Sequence, residues 1–150
     1  MVLEISDASW LSGFLDGEGH IGVHPTFDGY HQANVFVRNT HKPSIDHVGD
    51  LYSQLGLPVH IAVEHRERGK DSWYLSLTGM ENILILANEV SSYSITKTRQ
   101  WELMKAYCLS RTNRPSHKSK TGSIYSVEEH YMIEEFQQVN KRWTEEYKGV

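Results

Sequence analysis

The sequence predicts one α+β domain whose core follows the order α-β-β-α-β-β-α, with an antiparallel sheet and additional C-terminal helices. Three observations support this. The 150 residues are enough for one hydrophobic core, and no linker divides them. Two pairs of short segments alternate between apolar and polar residues, as half-buried strands do, and segments with helical spacing precede and follow each pair. We expect the core at about residues 3–110 of a single domain (1–150), and a loop and helix at 111–150.

Each element of the first half has its own sequence signal. Ser6 and Asp7 are N-cap residues before an apolar helical stretch, alternation indicates strands, and segments with Gly or Pro mark turns and helix ends. The predicted elements are a helix ending at residues 17–19, strands at 20–24 and 32–38 joined by a turn with Pro25, Asp28 and Gly29, and a helix at 43–55 ended by Gly56 and Pro58.

The second half repeats the hairpin and adds helices. Alternating segments on either side of a polar turn at 68–71 predict two strands, and apolar residues at helical spacing predict the helices after them. Ser126 and Glu129 have the spacing of a capping box for the last helix. The predicted elements are strands at 59–67 and 72–77, and helices at 81–89, 97–109 and 126–147.

Composition excludes several classes of protein. The longest apolar run, at 83–87, is far too short to cross a bilayer, so we expect no membrane partner. A single cysteine, Cys108, excludes an internal disulfide and a multi-cysteine zinc site. The Gly-x-Gly-x-x-Gly spacing at 17–22 follows a helix and opens a strand, the reverse of what a dinucleotide site needs. The N-terminus has no signal-peptide pattern, so we expect a cytoplasmic location.

Charge and side-chain polarity are unevenly distributed. The net charge is −4, yet residues 91–125 contain seven Lys or Arg and one acid, Glu102. Such a basic segment is typical of polyanion binding, although a solvated helix face and loop is an alternative. Along the strand at 32–38, Ala33, Val35 and Val37 share one face, and the other face carries Gln32, Asn34, Phe36 and Arg38. The polar face is suited to contacts with bases and phosphates, or it is the solvated face that antiparallel sheets commonly have.

The most unusual segment is WLSGFLDGEGH at 10–20, an apolar helix that ends in Asp16 and Glu18. Carboxylates are disfavoured at a helix C-terminus, where the dipole is negative. Gly13 and Gly17 lie on one side of the helix, and small residues at this spacing let a second helix approach closely. If that helix belongs to a second copy, two Glu18 carboxylates meet, and a divalent cation such as Mg²⁺ or Ca²⁺ would relieve their repulsion. Such a site could clamp the oxygens of a phosphodiester.

Residues 11–19, LSGFLDGEG, resemble the motif of the LAGLIDADG homing endonucleases. Two further segments are similar to that family in the same order: Val37-Arg38-Asn39-Thr40 before a helix ending in Gln54-Leu55-Gly56, and residues 94–100, which carry a Lys shortly before a Gln. The resemblance spans about residues 3–110. It implies the fold given above with a saddle-shaped sheet, and an intron-encoded, site-specific DNA endonuclease. Its location would be the cytoplasm, or the organelle or phage-infected cell that carries the host intron.

The resemblance implies a role for each matched residue. Glu18 takes the place of the motif's last acid, a metal ligand, and the carbonyl of Gly17 would be a second ligand. Lys97 matches the basic residue near the scissile phosphate, and Asn39 (or Thr40) matches the polar residue that orients water. Glu replaces the more common Asp, and its longer side chain displaces the carboxylate by ~1 Å or more. The implied cofactor is Mg²⁺, which Ca²⁺ or Mn²⁺ can replace for binding.

One motif copy implies a homodimer that straddles double-stranded DNA and cuts both strands across the minor groove, leaving 3′ overhangs at a long near-palindromic target. We expect Asp16 to hold the turn and the helix interface rather than the metal. The implied dimer interface is Leu11, Ser12, Gly13, Phe14, Asp16 and Gly17. The implied DNA contacts are Gly22, His24, Gln32, Asn34, Phe36, Arg38, His60, Arg66, Arg68, Ser72, Tyr74 and Ser76, with Lys118, Lys120, Lys141 and Arg142 at phosphates.

Other interpretations remain open. Some proteins of the family are intron RNA maturases or DNA-binding regulators that do not cut, and these commonly lose the acid that Glu18 supplies here. The chain could also be an acidic partner-binding domain whose first helix only dimerises. Lys97 could simply extend from a helix start, and Asn39 could be a strand-end turn residue. His20 and His24, ~13 Å apart along a strand, are expected to be too distant to share one metal.

Overall fold

The structure, a computed structural model, describes residues 2–26, 29–113 and 125–148, with side chains described up to Lys141. Within these residues five α-helices and four strands confirm the predicted order of elements. The helices are α1 Ile5–Glu18, α2 Lys42–Gln54, α3 Met80–Val90, α4 Thr98–Thr112 and α5 Val127–Lys148; the strands are β1 Gly19–Pro25, β2 His31–Asn39, β3 Ile61–Glu64 and β4 Ser72–Thr78. A short 3-10 helix, Ser91–Tyr93, follows α3 directly.

The four strands form one antiparallel sheet in the order β1-β2-β4-β3. β1 pairs with β2 along its whole length, from Gly19 opposite Val37 to Pro25 opposite His31. β4 pairs with the other edge of β2, and β3 pairs only with β4. The two hairpins therefore meet through β2 and β4 at the centre of the sheet, and β1 and β3 are its edges.

The core lies between one face of the sheet and the helices. Ala33, Val35 and Val37 of β2 are at most 3% exposed, which confirms the predicted apolar face. Helices α1 to α4 all contact the sheet, while α5 packs on α4 and on the edge strand β1. Among the described helices, none is long and apolar enough to cross a membrane.

The second hairpin is shorter than predicted, because β3 covers only Ile61–Glu64 instead of residues 59–67, which also leaves His60 outside the strand. Val63 is 40% exposed, so alternation in this strand does not bring a continuous apolar row into the core. From Glu64 to Lys70 every residue is exposed. Without buried side chains to hold the chain against β4, pairing stops, and Arg66 and Arg68 lie in an exposed loop instead of on a strand.

The sequence predicted the capping residues at the starts of α1 and α5, and only the prediction for α5 is confirmed. The predicted N-cap of α1 was wrong: the helix begins at Ile5, so Ser6 and Asp7 lie in its first turn. Leu3, 5% exposed, is already docked in the core, and this starts the helix earlier than the cap residues indicate. At α5 the capping box is confirmed, since the N–H of Glu129 donates to Ser126 Oγ at 3.1 Å and the N–H of Ser126 donates to Glu129 Oε1 at 2.8 Å.

Candidate active site and nucleic-acid interface

Helix α1 passes into strand β1 without a loop, which places Glu18 at the edge of the sheet. Gly19 makes this junction possible, because a β-carbon there would lie 2.6 Å from the carbonyl oxygen of Leu15. The N–H of Gly19 donates to that same carbonyl. Glu18 is exposed, so its carboxylate and the carbonyl of Gly17 are both available beside the first residue pair of the sheet.

Asp16 contacts the segment that connects the 3-10 helix to α4. One carboxylate oxygen accepts a hydrogen bond from Ser94 Oγ at 2.6 Å, and the other accepts from the N–H groups of Ile95 at 2.7 Å and Thr96 at 3.1 Å. Burial alone would raise the pKa of Asp16, but these hydrogen bonds and the charge of Lys97 lower it below its ordinary value. Asp16 is therefore an ionised carboxylate engaged within its own chain.

Lys97 lies against the same end of α1. Its Nζ donates to the backbone carbonyl oxygen of Asp16, and its side chain is half-buried. Burial lowers the pKa of the Lys97 ammonium group, and the carboxylates of Asp16 and Glu18 oppose that shift. The structure thus brings the sequence-predicted pair Glu18 and Lys97 into one electrostatic cluster, and Lys97 supplies part of the positive charge that the acidic helix end requires.

Asn39 ends β2 on the same side of the sheet, two residues beyond the pairing of Val37 with Gly19. Its Oδ1 accepts a hydrogen bond from the N–H of His41 at 2.7 Å, which stabilises the turn into α2. In the part of the chain that the structure describes, no hydrogen bond joins Asn39 to Glu18 or Lys97. The contact observed is the one expected of a strand-end turn residue, and Thr40 is exposed beside it.

The donor set at Glu18 fits a hard divalent cation only in part. A carboxylate and a carbonyl oxygen are the ligands that Mg²⁺ and Ca²⁺ prefer, and the carbonyl end of a helix adds negative potential. Yet within residues 2–26, 29–113 and 125–148 no three acid, His or Cys side chains converge on one point. The described part of a single chain therefore offers at most part of a coordination sphere, and a bound cation would need further ligands from outside it.

The polar face of the sheet lies beside the Glu18–Lys97 cluster. The residues of this face differ in solvent accessibility. Ser72 is 1% exposed and Gly22 is also buried, which removes both from the predicted contact surface. The remaining predicted contacts are at least partly accessible: Asn34, Phe36, Arg38 and Tyr74 are half-buried, and His24, Gln32, His60, Arg66, Arg68 and Ser76 are exposed.

Arg38 is the centre of a small cluster on this face. Its guanidinium carbon lies 5.4 Å from the ring centroids of both Phe36 and Tyr74, within the range of a cation-π contact. One of its nitrogens pairs with Glu64 at 2.9 Å. The side chain is therefore held in place before any ligand binds, and contact with a base or phosphate requires it to exchange or share Glu64.

His20 and His24 meet across Gly22, so the expectation that they are too far apart was wrong. Their Nε2 atoms are 3.1 Å apart, although four positions along a strand separate the residues. Both imidazoles lean over Gly22, where a β-carbon would lie 2.8 Å from Nε2 of His20 and 3.3 Å from Nδ2 of Asn140. Burial, with the charges of His24 and Lys97, lowers the pKa of His20.

The outer side of α1 is open in the single chain. A β-carbon on Gly13 or Gly17 would have no atom within 4 Å. Next to them Trp10 stacks on Phe14 with ring centroids 5.0 Å apart. Trp10, 37% exposed, also contacts His47 of α2, with ring centroids 4.5 Å apart. It was not among the residues predicted for an interface, although its helical spacing places it on the same side of α1 as Gly13 and Gly17. Leu11 and Ser12, two residues of the predicted interface, are 0% exposed in the chain's own core, so their side chains are not accessible to a second chain.

Of the four predicted phosphate contacts, the structure describes the side chain of only Lys141. Lys118 and Lys120 lie outside the described residues, as does the side chain of Arg142. Lys141 is exposed on α5, the helix that reaches the sheet edge through the hydrogen bond from Asn140 Nδ2 to the carbonyl of Ile21, 3.2 Å long.

Comparison with known proteins gives one family. The family model described as a LAGLIDADG-like domain matches residues 6–91. None of the curated proteins matches the sequence.

Solved structures show the same fold. The chain is similar to the archaeal intron-encoded homing endonuclease I-Vdi141I complexed with DNA, with 14% identity and a TM-score of 0.68 over 89% of this chain and 84% of that one. It is similar to I-CvuI, in complex with the I-CreI target in 2 mM Mg, with 19% identity and a TM-score of 0.56 over 73% and 72%. For the LAGLIDADG meganuclease I-CpaMI bound to uncleaved DNA the identity is 20% and the TM-score 0.56, over 77% of this chain but 41% of that one.

Proposed function

The chain belongs to the LAGLIDADG-like domain family, and on that basis we propose that it is a homodimeric endonuclease that cuts double-stranded DNA with a divalent metal ion. The family and its fold support DNA-binding, nuclease-like activity. The finer proposal depends on one observation: tertiary folding brings Lys97 to the acidic end of α1, beside the polar face of the sheet.

In the proposed mechanism Glu18 and the carbonyl of Gly17 would hold the metal ion, which we propose is Mg²⁺; Ca²⁺ or Mn²⁺ could replace it for binding. When bound, the ion supplies positive charge to the phosphodiester and lowers the pKa of water. Lys97 stabilises the negative charge that develops on the scissile phosphate. Asn39 orients the attacking water through its NH₂ group, since its carbonyl oxygen is already bonded to the N–H of His41.

The proposed dimer completes the metal site. Two copies would pack through the open side of α1, where Gly13 and Gly17 leave room for a helix backbone and Trp10 and Phe14 supply apolar area. Twofold symmetry then brings the two Glu18 side chains together.

The proposed target is a long, near-palindromic DNA site, since two identical sheets would read its two halves. Base contacts would come from the accessible polar residues given above, with Gln32, Asn34 and Arg38 offering side chains that pair well with base edges in the major groove. Cleavage of the two strands across the minor groove would leave 3′ overhangs.

The test is cleavage of a randomised plasmid library in Mg²⁺, with the cut ends sequenced, for wild type, Glu18→Gln and Glu4→Gln in parallel. Glu4 is the matched control, an exposed acid just before the opposite end of α1. We expect staggered double-strand ends at a near-palindrome for wild type and Glu4→Gln, and none for Glu18→Gln.

Two outcomes would contradict the proposal. Enrichment of a bound sequence or RNA without cutting by the wild type would support the maturase or regulator alternative. Unchanged cutting by Glu18→Gln would exclude Glu18 as the essential metal ligand.

A further inference from the structure

Asp16 has no role in the proposed mechanism, yet it makes the densest set of polar contacts at the candidate site. Its carboxylate accepts three hydrogen bonds from residues 94–96, which we name the anchor loop. Its backbone carbonyl accepts a fourth from Thr96 Oγ1 at 3.3 Å. An ionised carboxylate is the strongest acceptor that a side chain can offer to such donors.

Apart from its bonds to Asp16, the anchor loop has only local hydrogen bonds and little buried apolar surface. Ile95 is 85% exposed and Thr96 is exposed as well, so burial of apolar surface contributes little to the conformation of the loop. Its other hydrogen bonds are local: the N–H of Ser94 donates to the carbonyl of Ser91 at 3.2 Å, and Thr98 Oγ1 donates to the carbonyls of Ser94 and Ile95 at 3.1 and 3.4 Å. The hydrogen bonds to Asp16 are the ones that join the loop to α1. A loop restrained by one side chain is expected to lose its fixed position when that side chain stops accepting hydrogen bonds.

The anchor loop leads directly into Lys97. The N–H of Lys97 donates to Ser94 Oγ at 3.3 Å, and that hydroxyl itself donates to Asp16. At its other end Lys97 Nζ reaches the carbonyl oxygen of Asp16. Lys97 is thus held at its backbone through the loop and at its ammonium group by the helix, and both contacts lead to Asp16.

Glu18 follows Asp16 by two positions on the same helix, so the distance between the Glu18 carboxylate and the Lys97 ammonium is set through Asp16. We propose that Asp16 is a positioning residue: it holds the anchor loop so that Lys97 lies at a fixed place beside Glu18, without itself touching DNA or metal. This assignment rests on the proposed function. Misplacement of a catalytic group by ~1 Å can lower a rate ~100-fold, so the restraint matters for chemistry more than for binding.

The test compares Asp16→Asn with Asp7→Asn, a matched change of the other Asp near the beginning of the same helix. Asn keeps the shape of Asp but places an NH₂ group against donors of the anchor loop. Single-turnover cleavage with saturating enzyme in Mg²⁺ measures the chemical step, and binding of uncut DNA in Ca²⁺ measures affinity. We expect Asp16→Asn to slow cleavage by about tenfold or more while affinity changes by less than about twofold, and Asp7→Asn to change neither.

A second measurement does not depend on activity. Amide hydrogen exchange of Ile95 and Thr96 should become faster in Asp16→Asn and stay unchanged in Asp7→Asn. If exchange is faster in Asp16→Asn but the wild type does not cut DNA, the proposed function is rejected while the restraint of the anchor loop by Asp16 stands. If exchange is unchanged in Asp16→Asn, that restraint is overturned whether or not the protein cuts DNA.

An unchanged cleavage rate in Asp16→Asn, or losses of affinity and rate by the same factor, would overturn the positioning role. If Asp16→Asn does not fold, Ser94→Ala removes only the hydroxyl that joins Asp16 to Lys97. This variant should still fold, and it should slow cleavage about threefold or more at unchanged affinity; an unchanged rate would overturn the proposal.

Discussion

The side of α1 that faces the core and the side that faces away from it differ in how fully they are packed within a single chain. On the inner side Leu11 and Leu15 are fully buried, and the buried hydroxyl of Ser12 donates to the carbonyl of Val90 at 2.9 Å. On the outer side Gly13 and Gly17 face open space next to a stacked Trp-Phe pair. The inner side of the helix is thus packed within the chain, whereas at Gly13 and Gly17 the outer side has no neighbouring atoms in the single chain.

The two acids at the end of the helix differ in the same way. Asp16 has its hydrogen bonds satisfied by residues 94–96, whereas Glu18 is exposed. Two carboxylates that are two positions apart in the sequence therefore differ in environment, and this difference is the basis of the separate roles proposed for them. Four substitutions test these two contrasts, between the sides of α1 and between the acids at its end.

The largest expected effect is on the inner side. Leu11→Ala should lower the free energy of unfolding by about 2–5 kcal/mol, because it removes a fully buried side chain and leaves a cavity. Urea denaturation measures it, with Ile5→Ala, a 72% exposed position on the same helix, as the control. An equal loss of unfolding free energy in Leu11→Ala and Ile5→Ala would contradict the burial of Leu11 in the core.

On the outer side, Gly13→Leu should leave the single chain folded, since its side chain meets open space, but should block close approach of a second helix. We expect the dimer to weaken by about tenfold or more, which corresponds to ~1.4 kcal/mol. Sedimentation velocity measures the oligomeric state, and circular dichroism the fold. A fully dimeric, active Gly13→Leu protein would exclude this side of α1 as the interface.

A smaller effect is expected for Ser12→Ala, which leaves the buried carbonyl of Val90 without its side-chain donor. The expected loss is about 1 kcal/mol in the free energy of unfolding. Ser9→Ala, at an exposed position of the same helix, is the control and should lie within error of wild type. A value for Ser12→Ala equal to that of the control would mean that water replaces the hydroxyl.

The smallest expected effect is a pH dependence at Asp16. The pKa of its carboxyl group is lower in the folded chain than the ordinary value of 3.8, so its stabilising contribution is complete above that value and disappears as the pH falls through the folded-state pKa. The difference in Tm between wild type and Asp16→Asn should therefore be largest near neutral pH and shrink in acid. A difference that does not change with pH would show that the charge of Asp16 does not stabilise the fold.

The sequence predicted the order of elements and the faces of the central strands because both depend on local periodicity. Ala33, Val35 and Val37 alternate with polar residues, and their burial follows from that alternation. The capping box at Ser126 was also predictable, since its two partners are three residues apart. The same reasoning failed at the start of α1, where docking of Leu3 in the core outweighed the preference of Ser6 and Asp7 for a cap.

Side-chain contacts were harder to predict. The separation of His20 and His24 follows from strand geometry, but their ring contact depends on the missing side chain of Gly22. Ser72 alternates correctly onto the polar face and is nevertheless buried. Such features depend on the conformations of neighbouring side chains, which periodicity does not describe.

By itself the sequence determined the element order, the polar and apolar faces, the acidic end of α1 and the family resemblance, because all of these are read from residues close together in the chain. Only the tertiary structure decided that Glu18 is exposed while Asp16 accepts hydrogen bonds from its own chain, and that Lys97 lies beside both. The contacts between Asp16 and residues 94–97 join distant parts of the chain, so they exist only after α1, α3 and α4 have packed together.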